Sequence, residues 1–535
     1  MSTDAAGATP GYTAGEGSDG PTPEPKPLLA LPLALVMAVV AGLLAWSAFP
    51  PVDFGASAPA AVAVLTAALW GARLRRGFGL GLVFGLSFFL PLLHWMTIVG
   101  TDAWLLLSLW CAAWLLIVGA GTALGTRLPF PVLWVTAAWV VSEGLRGRWP
   151  WGGFPWGTLG FSQPDTPLAA AAALGGIELV SVAVVVVGAS LTAAAVALAR
   201  AQYRRALAHG VVLAAVMVLP GLLQPLATPG QTDQTTTVAI IQGGTPQMGM
   251  GAMDVRRAVL DNHVNQTLDL ARAVADGSAP QPQLVVWPES SSDIDPYTDP
   301  TVAADITRAA QAIDAPILVG AVVAAGEDQD RVWNVGIVWD PDLGPTDQYV
   351  KTHPVPFGEF VPFREQLAPL IGRFDRVPRD FAPGDEPGDL RIADQVVGVV
   401  ICFEVAYSDV VDAVMLGGAS MLVVQTNNAT YGGTAQPDQQ LDIERMQATA
   451  TGRTVLVAAT SGISAVIDTD RTVRDSMAVG EEGWMIAQVR SVDGVTWGNR
   501  LGVIIEAALF LVFIVGIAWT AVRARRARRA VAAQD

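Results

Sequence analysis

Eight apolar stretches constrain the fold of this chain more than any other feature of its sequence. A helix needs about 20 apolar residues to cross the ~30 Å hydrocarbon core of a membrane, and each stretch has roughly that length. We therefore predict a polytopic α-helical membrane domain with about eight spans. The alternative, a large soluble core with eight buried helices, fits the short polar breaks poorly. The stretches cover residues 28–49, 54–71, 78–98, 104–125, 128–145, 168–199, 206–225 and 501–521.

The composition excludes several classes of protein. Of the 535 residues, 52% are hydrophobic and only 15% are charged, which is too apolar for an ordinary soluble enzyme. The net charge of -16 argues against a nucleic-acid-binding protein, because phosphate neutralisation needs a basic surface. The two cysteines cannot build a disulfide framework, and the four histidines show no metal-ligand spacing. We expect no metal site.

The apolar stretches divide the chain into five parts. Residues 1–27 are rich in Gly, Pro, Thr and acidic residues, which predicts a disordered tail, and no basic segment precedes a cleavage site. Residues 28–225 form the membrane domain with about seven spans, and residues 226–500 form a separate domain. Residues 501–521 are the last span, and residues 522–535 are a basic tail.

The arginines predict the orientation, because cationic loops stay on the cytoplasmic side of a membrane. Arginine clusters follow the second, fourth, sixth and eighth stretches, so we expect both termini in the cytoplasm and residues 226–500 outside it. The clusters are Arg73, Arg75 and Arg76; Arg127; Arg200, Arg204 and Arg205; and Arg523, Arg525, Arg526, Arg528 and Arg529.

One loop departs from this pattern and is rich in aromatic residues. Arg146 and Arg148 in EGLRGRWPWGGFPWGTLGFSQ fall on the outer side. They predict either helix-end snorkelling or an interfacial patch that contacts lipid headgroups. The aromatic residues of the loop would form the floor of a lipid entrance or an ordinary aromatic belt. They are Trp149, Trp151, Phe154 and Trp156.

The segment between the seventh and eighth stretches has a different character. Short β-branched runs alternate with polar stretches that are compatible with helices, and this pattern predicts an α/β domain whose sheets are buried on both faces. The clearest helices are MDVRRAVLDNHVNQTLDLARAVA and PDQQLDIERMQATATGR. The predicted strands are Val238–Gln242, Leu284–Trp287, Ile317–Val323, Val396–Ile401, Met421–Gln425 and Val455–Ala459.

Three reactive side chains stand in this domain, two of them directly after predicted strands. Glu289 ends VVWPES, Lys351 lies in YVKTHPVPFGEFVPF, and Cys402 ends VVIC. Side chains just past the carboxyl ends of strands lie at the rim where α/β sheets bind ligands. A thiol nucleophile, a carboxylate base and a cation that stabilises a tetrahedral intermediate together make an acyl-transfer site. Each residue alone also has an ordinary interpretation as surface or core.

The same residues resemble a known family. Glu289, Lys351 and Cys402, spaced by 62 and 51 residues, match in order the Glu-Lys-Cys triad of the nitrilase (carbon-nitrogen hydrolase) superfamily. Such a domain, inserted between several N-terminal spans and one C-terminal span, is similar to the apolipoprotein N-acyltransferases. The similarity includes VAIIQGG, VPFGEFVP, CFE, TNNATY and SGISAVID. Many members carry Tyr directly after the nucleophile, where this chain has Phe403.

The resemblance implies a fold and a reaction. The domain of residues 226–500 would be a nitrilase-like αββα sandwich on the outer side of a bacterial plasma membrane. The enzyme would take an acyl chain from a membrane phospholipid onto Cys402 as a thioester. It would then pass the chain to the α-amino group of the diacylglyceryl cysteine that begins an apolipoprotein. We expect a monomer that needs no cofactor.

The resemblance also implies roles for single residues. Glu289 would be the general base, and Lys351 with nearby backbone amides would hold the oxyanion. Glu359 matches the family's second glutamate, which would orient Lys351; a solvent-facing carboxylate is the alternative. Glu404 matches the glutamate two residues past the nucleophile and would bind a substrate amine or shape the pocket, unless it is a surface or salt-bridged residue.

Two other functions remain open from the sequence. A membrane-tethered amidase or nitrilase would use the same triad with water as the acyl acceptor. An inactive nitrilase-like scaffold or a transporter would need no triad at all. The eight apolar stretches and the WPWGGFPWG loop favour the acyltransferase over a hydrolase of small amides. The spans contain few charged residues of the kind that mark transport paths, chiefly Glu143, Glu178 and Glu506.

Overall fold

Each apolar stretch of the sequence forms a helix in the computed structural model, which describes residues 27–246, 249, 256–326 and 328–532. The N-terminal tail predicted for residues 1–27 lies outside these ranges except for its last residue. The helices are α1 (Leu31–Trp46), α2 (Ser57–Leu69), α3 (Leu74–Leu92), α4 (Thr101–Gly125), α5 (Pro131–Arg146), α6 (Ala172–Ala199), α7 (Tyr203–Ala227), α8 (Arg256–Ala275), α9 (Pro300–Ile313), α10 (Arg364–Leu367), α11 (Ser408–Leu416), α12 (Gln436–Thr451) and α13 (Gly498–Ala532).

Within the described ranges, four helices are long and apolar enough to cross a membrane. They are α4, the helical segment Pro167–Ala199 that contains α6, α7, and the part of α13 from Gly498 to Arg526. The helices α1 and α2 are apolar but shorter. The helix α7 is almost entirely exposed in the isolated chain, with Pro220 and Ala227 as its buried residues. Apolar side chains that cover a helix on all sides need an apolar surrounding, and lipid supplies one.

The last helix is longer than the apolar stretch that predicts it. It continues past residue 521 through the arginine-rich segment to Ala532. Alanine and arginine both favour helices, and neither glycine nor proline interrupts the sequence after Gly516. The first residues of the predicted basic tail are therefore helical.

Glycines allow α3 and α4 to pack at very short range. A Cβ atom on Gly81 would overlap the carbonyl oxygen of Leu115, and one on Gly119 would overlap that of Gly77. Small residues at such crossings let helix backbones approach closely, which is a main source of attraction between helices in lipid. Gly79, two residues before Gly81 on the same helix, has nothing within 4 Å of its Cβ position.

We predict that Gly81→Ala lowers the melting temperature of the detergent-solubilised protein, whereas Gly79→Ala does not. The added methyl group at position 81 has to displace the α4 backbone, and overpacking of this kind costs about 1–3 kcal/mol. Differential scanning fluorimetry of the two variants provides the comparison. Equal melting temperatures for both would contradict the close approach of the helices.

The segment between α7 and α13 forms two stacked sheets in the described part of the chain. One has the strand order β13-β1-β2-β3-β4-β5, with β6 paired to β4, and the other has the order β12-β11-β10-β9-β8-β7. The strands are β1 (Gln231–Gln242), β2 (Leu284–Val286), β3 (Ile317–Ala325), β4 (Asp328–Asp340), β5 (Gly344–Val350), β6 (Asp380–Phe381), β7 (Asp389–Ile392), β8 (Gln395–Ile401), β9 (Met421–Thr426), β10 (Val455–Ala459), β11 (Ser464–Ile467), β12 (Val473–Met477) and β13 (Gly483–Val492).

The alternation of side chains along the strands creates the layers. On β8, Val397, Val399 and Ile401 face the core between the two sheets, while Val400 faces the other way. The helices α8 and α9 cover the outer face of the first sheet, and α11 and α12 cover that of the second. The resulting αββα sandwich confirms the predicted α/β domain and all six predicted strands.

The layer formed by α11 and α12 lies between the second sheet and the membrane helices. One continuous cluster of buried apolar residues runs from α1–α6 through these two helices to β8, β9 and β10. Ala172 and Ile177 of α6 belong to this cluster together with Ile443 and Met446 of α12. The second sheet is therefore the sheet nearer to the membrane helices.

Candidate active site

Three predicted residues meet where strands of the two sheets end. Glu289 follows β2, Lys351 follows β5 and Cys402 follows β8. Lys351 Nζ lies 3.2 Å from Glu289 Oε1. The backbone N–H of Asn427 donates to Glu289 Oε2 at 2.9 Å, and the charges of Glu289 and Lys351 are close enough to Cys402 to act on the pKa of its thiol. The fold thus brings the predicted base, cation and nucleophile into one site.

An asparagine that the sequence analysis missed joins the two carboxylates of the site. Asn334 Nδ2 donates to Glu289 Oε1 at 2.7 Å and to Glu359 Oε1 at 2.8 Å. Lys351 Nζ lies 3.0 Å from the same Glu359 oxygen, and its backbone N–H donates to the Asn334 carbonyl. The signal in the sequence is a single polar residue within VWNVGIVW, an otherwise apolar strand. Its amide holds both carboxylates in contact with the Lys351 ammonium.

Burial and charge set the protonation of this cluster. Burial raises the pKa of Glu289, the charge of Lys351 opposes that rise and the charge of Glu359 adds to it. Burial alone would lower the pKa of Lys351, but the two carboxylates raise it well above its usual value. The side chain of Lys351 is only 1% exposed. Lys351 is therefore a fixed cation, and Glu289 is a stronger base than an exposed glutamate.

The nucleophile occupies a left-handed backbone conformation at the end of a buried strand. Cys402 has φ +55° and begins a short 3₁₀ helix, Cys402–Ala406. Such a φ is unfavourable for residues other than glycine and persists only where the surroundings enforce it. Burial and the nearby Glu289 charge raise the pKa of the thiol to about 12, although Lys351 lowers it. Cys402 is thus a thiol and not a thiolate at neutral pH.

Glu404 enforces the turn at the nucleophile from inside the protein. Its fully buried carboxylate accepts hydrogen bonds from the backbone N–H groups of Ile401, Thr352 and His353 at 2.8–3.0 Å, and from the Tyr349 hydroxyl at 2.9 Å. The carboxylate therefore ties the segment after Lys351 to the turn that carries Cys402. Glu404 is thus buried and not at the surface, and its hydrogen bonds go to the segments on both sides of the site.

The aromatic loop of the membrane domain packs directly against the residue after the nucleophile. The ring of Phe403 stacks on Phe154 with centroids 5.2 Å apart and on Trp156 at 5.7 Å. The Tyr407 hydroxyl donates to the Gly153 carbonyl at 3.1 Å. Phe154 and Trp156 thus support the nucleophile turn, and Trp156, 2% exposed, does not face lipid.

The two arginines near this loop have different surroundings, and only Arg148 remains at the surface. Arg146 is 1% exposed, and its guanidinium donates to the carbonyl oxygens of Phe154 and Trp156. Arg148 makes a bidentate ion pair with Glu506 on α13, with distances of 2.6 and 2.7 Å. The loop after α5 folds back over the end of its own helix, so Arg146 points inward where neither snorkelling nor headgroup contact was possible.

The other two aromatic residues of the loop remain at the surface. Trp149 is 63% exposed and Trp151 is 45% exposed. The Trp151 ring makes edge contacts with Phe357 and Phe363, which belong to the segment after Lys351 and are also exposed. This cluster of exposed rings lies where the membrane domain meets the catalytic domain.

One glutamine of α12 joins the αββα domain to four residues of the membrane domain. The Gln439 amide oxygen accepts from the indole N–H groups of Trp95 and Trp156 at 3.1 and 2.7 Å. Its amide nitrogen donates to the carbonyls of Pro50 and Leu92 at 2.9 and 3.2 Å. All four hydrogen-bonding positions of the amide are used across the domain boundary. The sequence analysis did not identify this residue.

Comparisons with known proteins agree with the geometry. The family profile described as apolipoprotein N-acyltransferase N-terminal domain matches residues 41–190, and the profile described as carbon-nitrogen hydrolase matches residues 237–498. An apolipoprotein N-acyltransferase of Mycolicibacterium smegmatis is 37% identical over 500 residues, which cover 89% of this chain and 83% of that protein. This chain belongs to the apolipoprotein N-acyltransferase family. The resemblance seen in the sequence is thereby confirmed.

Further relatives show the extent of the similarity. The apolipoprotein N-acyltransferase of Gloeobacter violaceus is 30% identical over 528 residues, covering 93% of this chain and 96% of that protein. Among solved structures, Saccharomyces cerevisiae Nit3, described as a member of branch 10 of the nitrilase superfamily, is 17% identical with a TM-score of 0.35. That match covers 49% of this chain and 91% of Nit3. The family similarity thus spans both the membrane helices and the αββα domain.

We predict that Gln439→Leu weakens the joint between the two domains. The variant leaves two buried indole N–H groups without an acceptor, at about 1–3 kcal/mol each. The melting temperature should fall, or the single unfolding transition should split into two. Gln366→Leu, which alters an exposed glutamine, serves as the control. Identical melting curves for Gln439→Leu and the unaltered protein would refute the coupling.

Proposed function

We propose that this protein transfers a fatty acyl chain from a membrane phospholipid to the α-amino group of the diacylglyceryl cysteine that begins an apolipoprotein. The proposal rests above all on one observation: a buried Glu-Lys-Cys site is attached by its own nucleophile turn to the membrane domain. Phe403, next to Cys402, stacks on Phe154 and Trp156 of that domain. Family membership supports the same conclusion, since the relatives are named apolipoprotein N-acyltransferases.

The first half-reaction forms a thioester. Glu289 takes the proton of the Cys402 thiol as the sulfur attacks the ester carbonyl carbon of the phospholipid, and a carbon–sulfur bond forms. The ester carbon–oxygen bond then breaks, and the departing alkoxide of the lysophospholipid receives the proton from Glu289. Lys351 and nearby backbone N–H groups stabilise the negative oxygen of the tetrahedral intermediate.

The second half-reaction passes the acyl chain to the amine. The α-amino nitrogen of the acceptor attacks the thioester carbon and loses a proton to Glu289. The carbon–sulfur bond breaks, and Glu289 returns the proton to the departing thiolate. The amide product leaves the thiol ready for another phospholipid. Because one carboxylate serves both steps, its contact with Lys351 and Asn334 has to persist through the cycle.

The arrangement in the membrane follows from the same proposal. All eight apolar helices, α1–α7 and α13, are spans, both termini are cytoplasmic, and the catalytic domain lies on the outer side of a bacterial plasma membrane. The exposed rings of Trp149, Trp151, Phe357 and Phe363 form the lipid entrance. Extracting a lipid into water would cost about 0.8 kcal/mol for each CH₂ exposed, which explains why the thiol is held at the membrane.

The main competing function is that of a membrane-tethered amidase, in which water accepts the acyl chain. Incubation with acyl-labelled phospholipid and a synthetic diacylated lipopeptide distinguishes the two. Labelled triacylated peptide supports the acyltransferase. Labelled free fatty acid without acylated peptide supports the hydrolase. Unchanged lipoprotein acylation in cells that carry only Cys402→Ala would instead favour an inactive scaffold.

We predict an acyl adduct on Cys402 and none on Cys111 when the purified protein is incubated with phospholipid alone. Cys111 is fully buried in α4, whereas Cys402 is partly accessible. Peptide mass spectrometry detects the adduct directly. Cys402→Ser should abolish transfer, because a hydroxyl with a carboxylate base is a far weaker nucleophile at neutral pH. An adduct found on Cys111 alone would overturn the assignment.

We predict that Glu359→Gln moves the acid limb of thioester formation to lower pH. Glu289 accepts a proton only when ionised, so the rate falls as the pH drops through the raised pKa of Glu289. Removing the Glu359 charge lowers the pKa of Glu289, and the base form persists in more acidic solution. The rate of thioester formation, measured across a pH series, gives the pH at which the acid limb falls. Glu365→Gln, an exposed change, is the control. An acid limb that stays at the same pH or moves to higher pH would contradict the prediction.

A further inference from the structure

A chain of buried polar side chains leads from Cys402 to α12. The Thr426 hydroxyl lies 3.3 Å from Cys402 Sγ and also 3.3 Å from Asn428 Oδ1. Gln440 Nε2 donates to the Thr426 oxygen at 3.0 Å. Thr426, Asn428 and Gln440 are each at most 3% exposed. None of these side chains takes part in the acyl-transfer steps described above.

The surroundings of Gln440 fix the direction of its amide. Its nitrogen donates to Thr426 and to Glu444 Oε1, the latter at 2.9 Å. Its oxygen accepts from Asn428 Nδ2 at 3.0 Å and from Gln436 Nε2 at 3.1 Å. All four hydrogen-bonding positions are occupied, so the amide has one orientation that satisfies every partner. The Thr426 oxygen consequently accepts a hydrogen bond from the Gln440 amide.

This arrangement restricts the hydroxyl proton of Thr426 to two acceptors. Its oxygen accepts from Gln440, so the hydroxyl has one proton to donate, and among the residues that the structure describes this proton is within reach of Cys402 Sγ and Asn428 Oδ1. A thiol is a weak acceptor, whereas a thiolate is a strong one. The proton therefore points to Asn428 in the resting thiol and rotates to the sulfur when the thiolate forms.

We propose that Thr426 is a further catalytic residue, whose hydroxyl donates to the Cys402 thiolate, and that Gln440 positions it. The inference rests on the proposed function. The hydroxyl acts twice in the cycle, because a thiolate forms as the nucleophile of the first half-reaction and departs as the leaving group of the second. Glu444 holds Gln440, and burial raises the pKa of Glu444 to about 8, so its carboxyl adds little negative charge near the sulfur at neutral pH.

The experiment measures the fraction of Cys402 that is ionised to the thiolate, and it needs neither lipid nor peptide substrate. The rate of Cys402 alkylation by iodoacetamide at pH 8, followed by peptide mass spectrometry, is proportional to the fraction of thiolate. Thr426→Val should lower this rate roughly tenfold, the effect of one hydrogen bond to a charged group. Thr426→Ser retains the hydroxyl and should restore most of the rate. Thr451→Val, a buried threonine at the end of α12 bonded to the Gln447 carbonyl, is the matched control.

A second variant tests the positioning role of Gln440. It also keeps the proposal testable if Thr426→Val does not fold. Gln440→Leu leaves Thr426 in place but frees its hydroxyl to rotate, so the alkylation rate should fall by a smaller factor in the same direction. Rates within twofold of the unaltered protein for both variants would overturn the proposal. So would a Thr426→Ser rate as low as that of Thr426→Val, because the shape of the side chain would then matter instead of its hydroxyl.

The same variants separate this inference from the proposed function. Thr426→Val should slow both thioester formation from phospholipid and thioester decay with diacylated lipopeptide, each by roughly the factor seen in alkylation. If Thr426→Val is alkylated more slowly but the unaltered protein never forms a thioester, the proposed function is refuted and the role of Thr426 is supported. If Thr426→Val is alkylated at the normal rate and the unaltered protein forms the thioester, only the role of Thr426 is refuted.

Discussion

The Lys351 ammonium, buried between two carboxylates, is the interaction on which the rest of the site depends. An isolated charge at such depth would be strongly unfavourable, so Glu289 and Glu359 are needed to keep the lysine ionised. The carboxylates in turn repel each other and require the lysine and the Asn334 amide between them. Charge and hydrogen bonding therefore fix the positions of four side chains that come from three different segments. The protein itself therefore holds the Glu289 carboxylate against the Lys351 ammonium.

The membrane domain contributes to this site as a support as well as an anchor. Its aromatic loop stacks on Phe403, and its backbone carbonyls at Pro50 and Leu92 bind the Gln439 amide. Arg146, on the inner side of the loop, satisfies carbonyls that would otherwise be buried without a donor. The layer formed by α11 and α12 packs against the membrane helices. In a soluble αββα sandwich the same layer would face water.

The strands, the apolar helices and the three residues that meet at the strand ends could be predicted from the sequence because each leaves a local signal. Buried parallel strands are continuous apolar runs, and reactive residues at their ends stand out against them. Gln439 and Gln440 leave no such signal, because α12 is polar and resembles a solvated helix until its place between β9 and β10 is known. Arg146 shows the same limit. The sequence predicts an exposed side chain for an arginine at the end of a helix, and its buried partners appear only once the loop is seen to fold back over α5.

The bidentate pair between Arg148 and Glu506 joins positions 358 residues apart in the chain. The loop that supports the nucleophile is therefore braced only after the ribosome has made the beginning of the final helix. The two residues also enclose the whole αββα domain between them in the chain, so this contact cannot form until that domain has been synthesised.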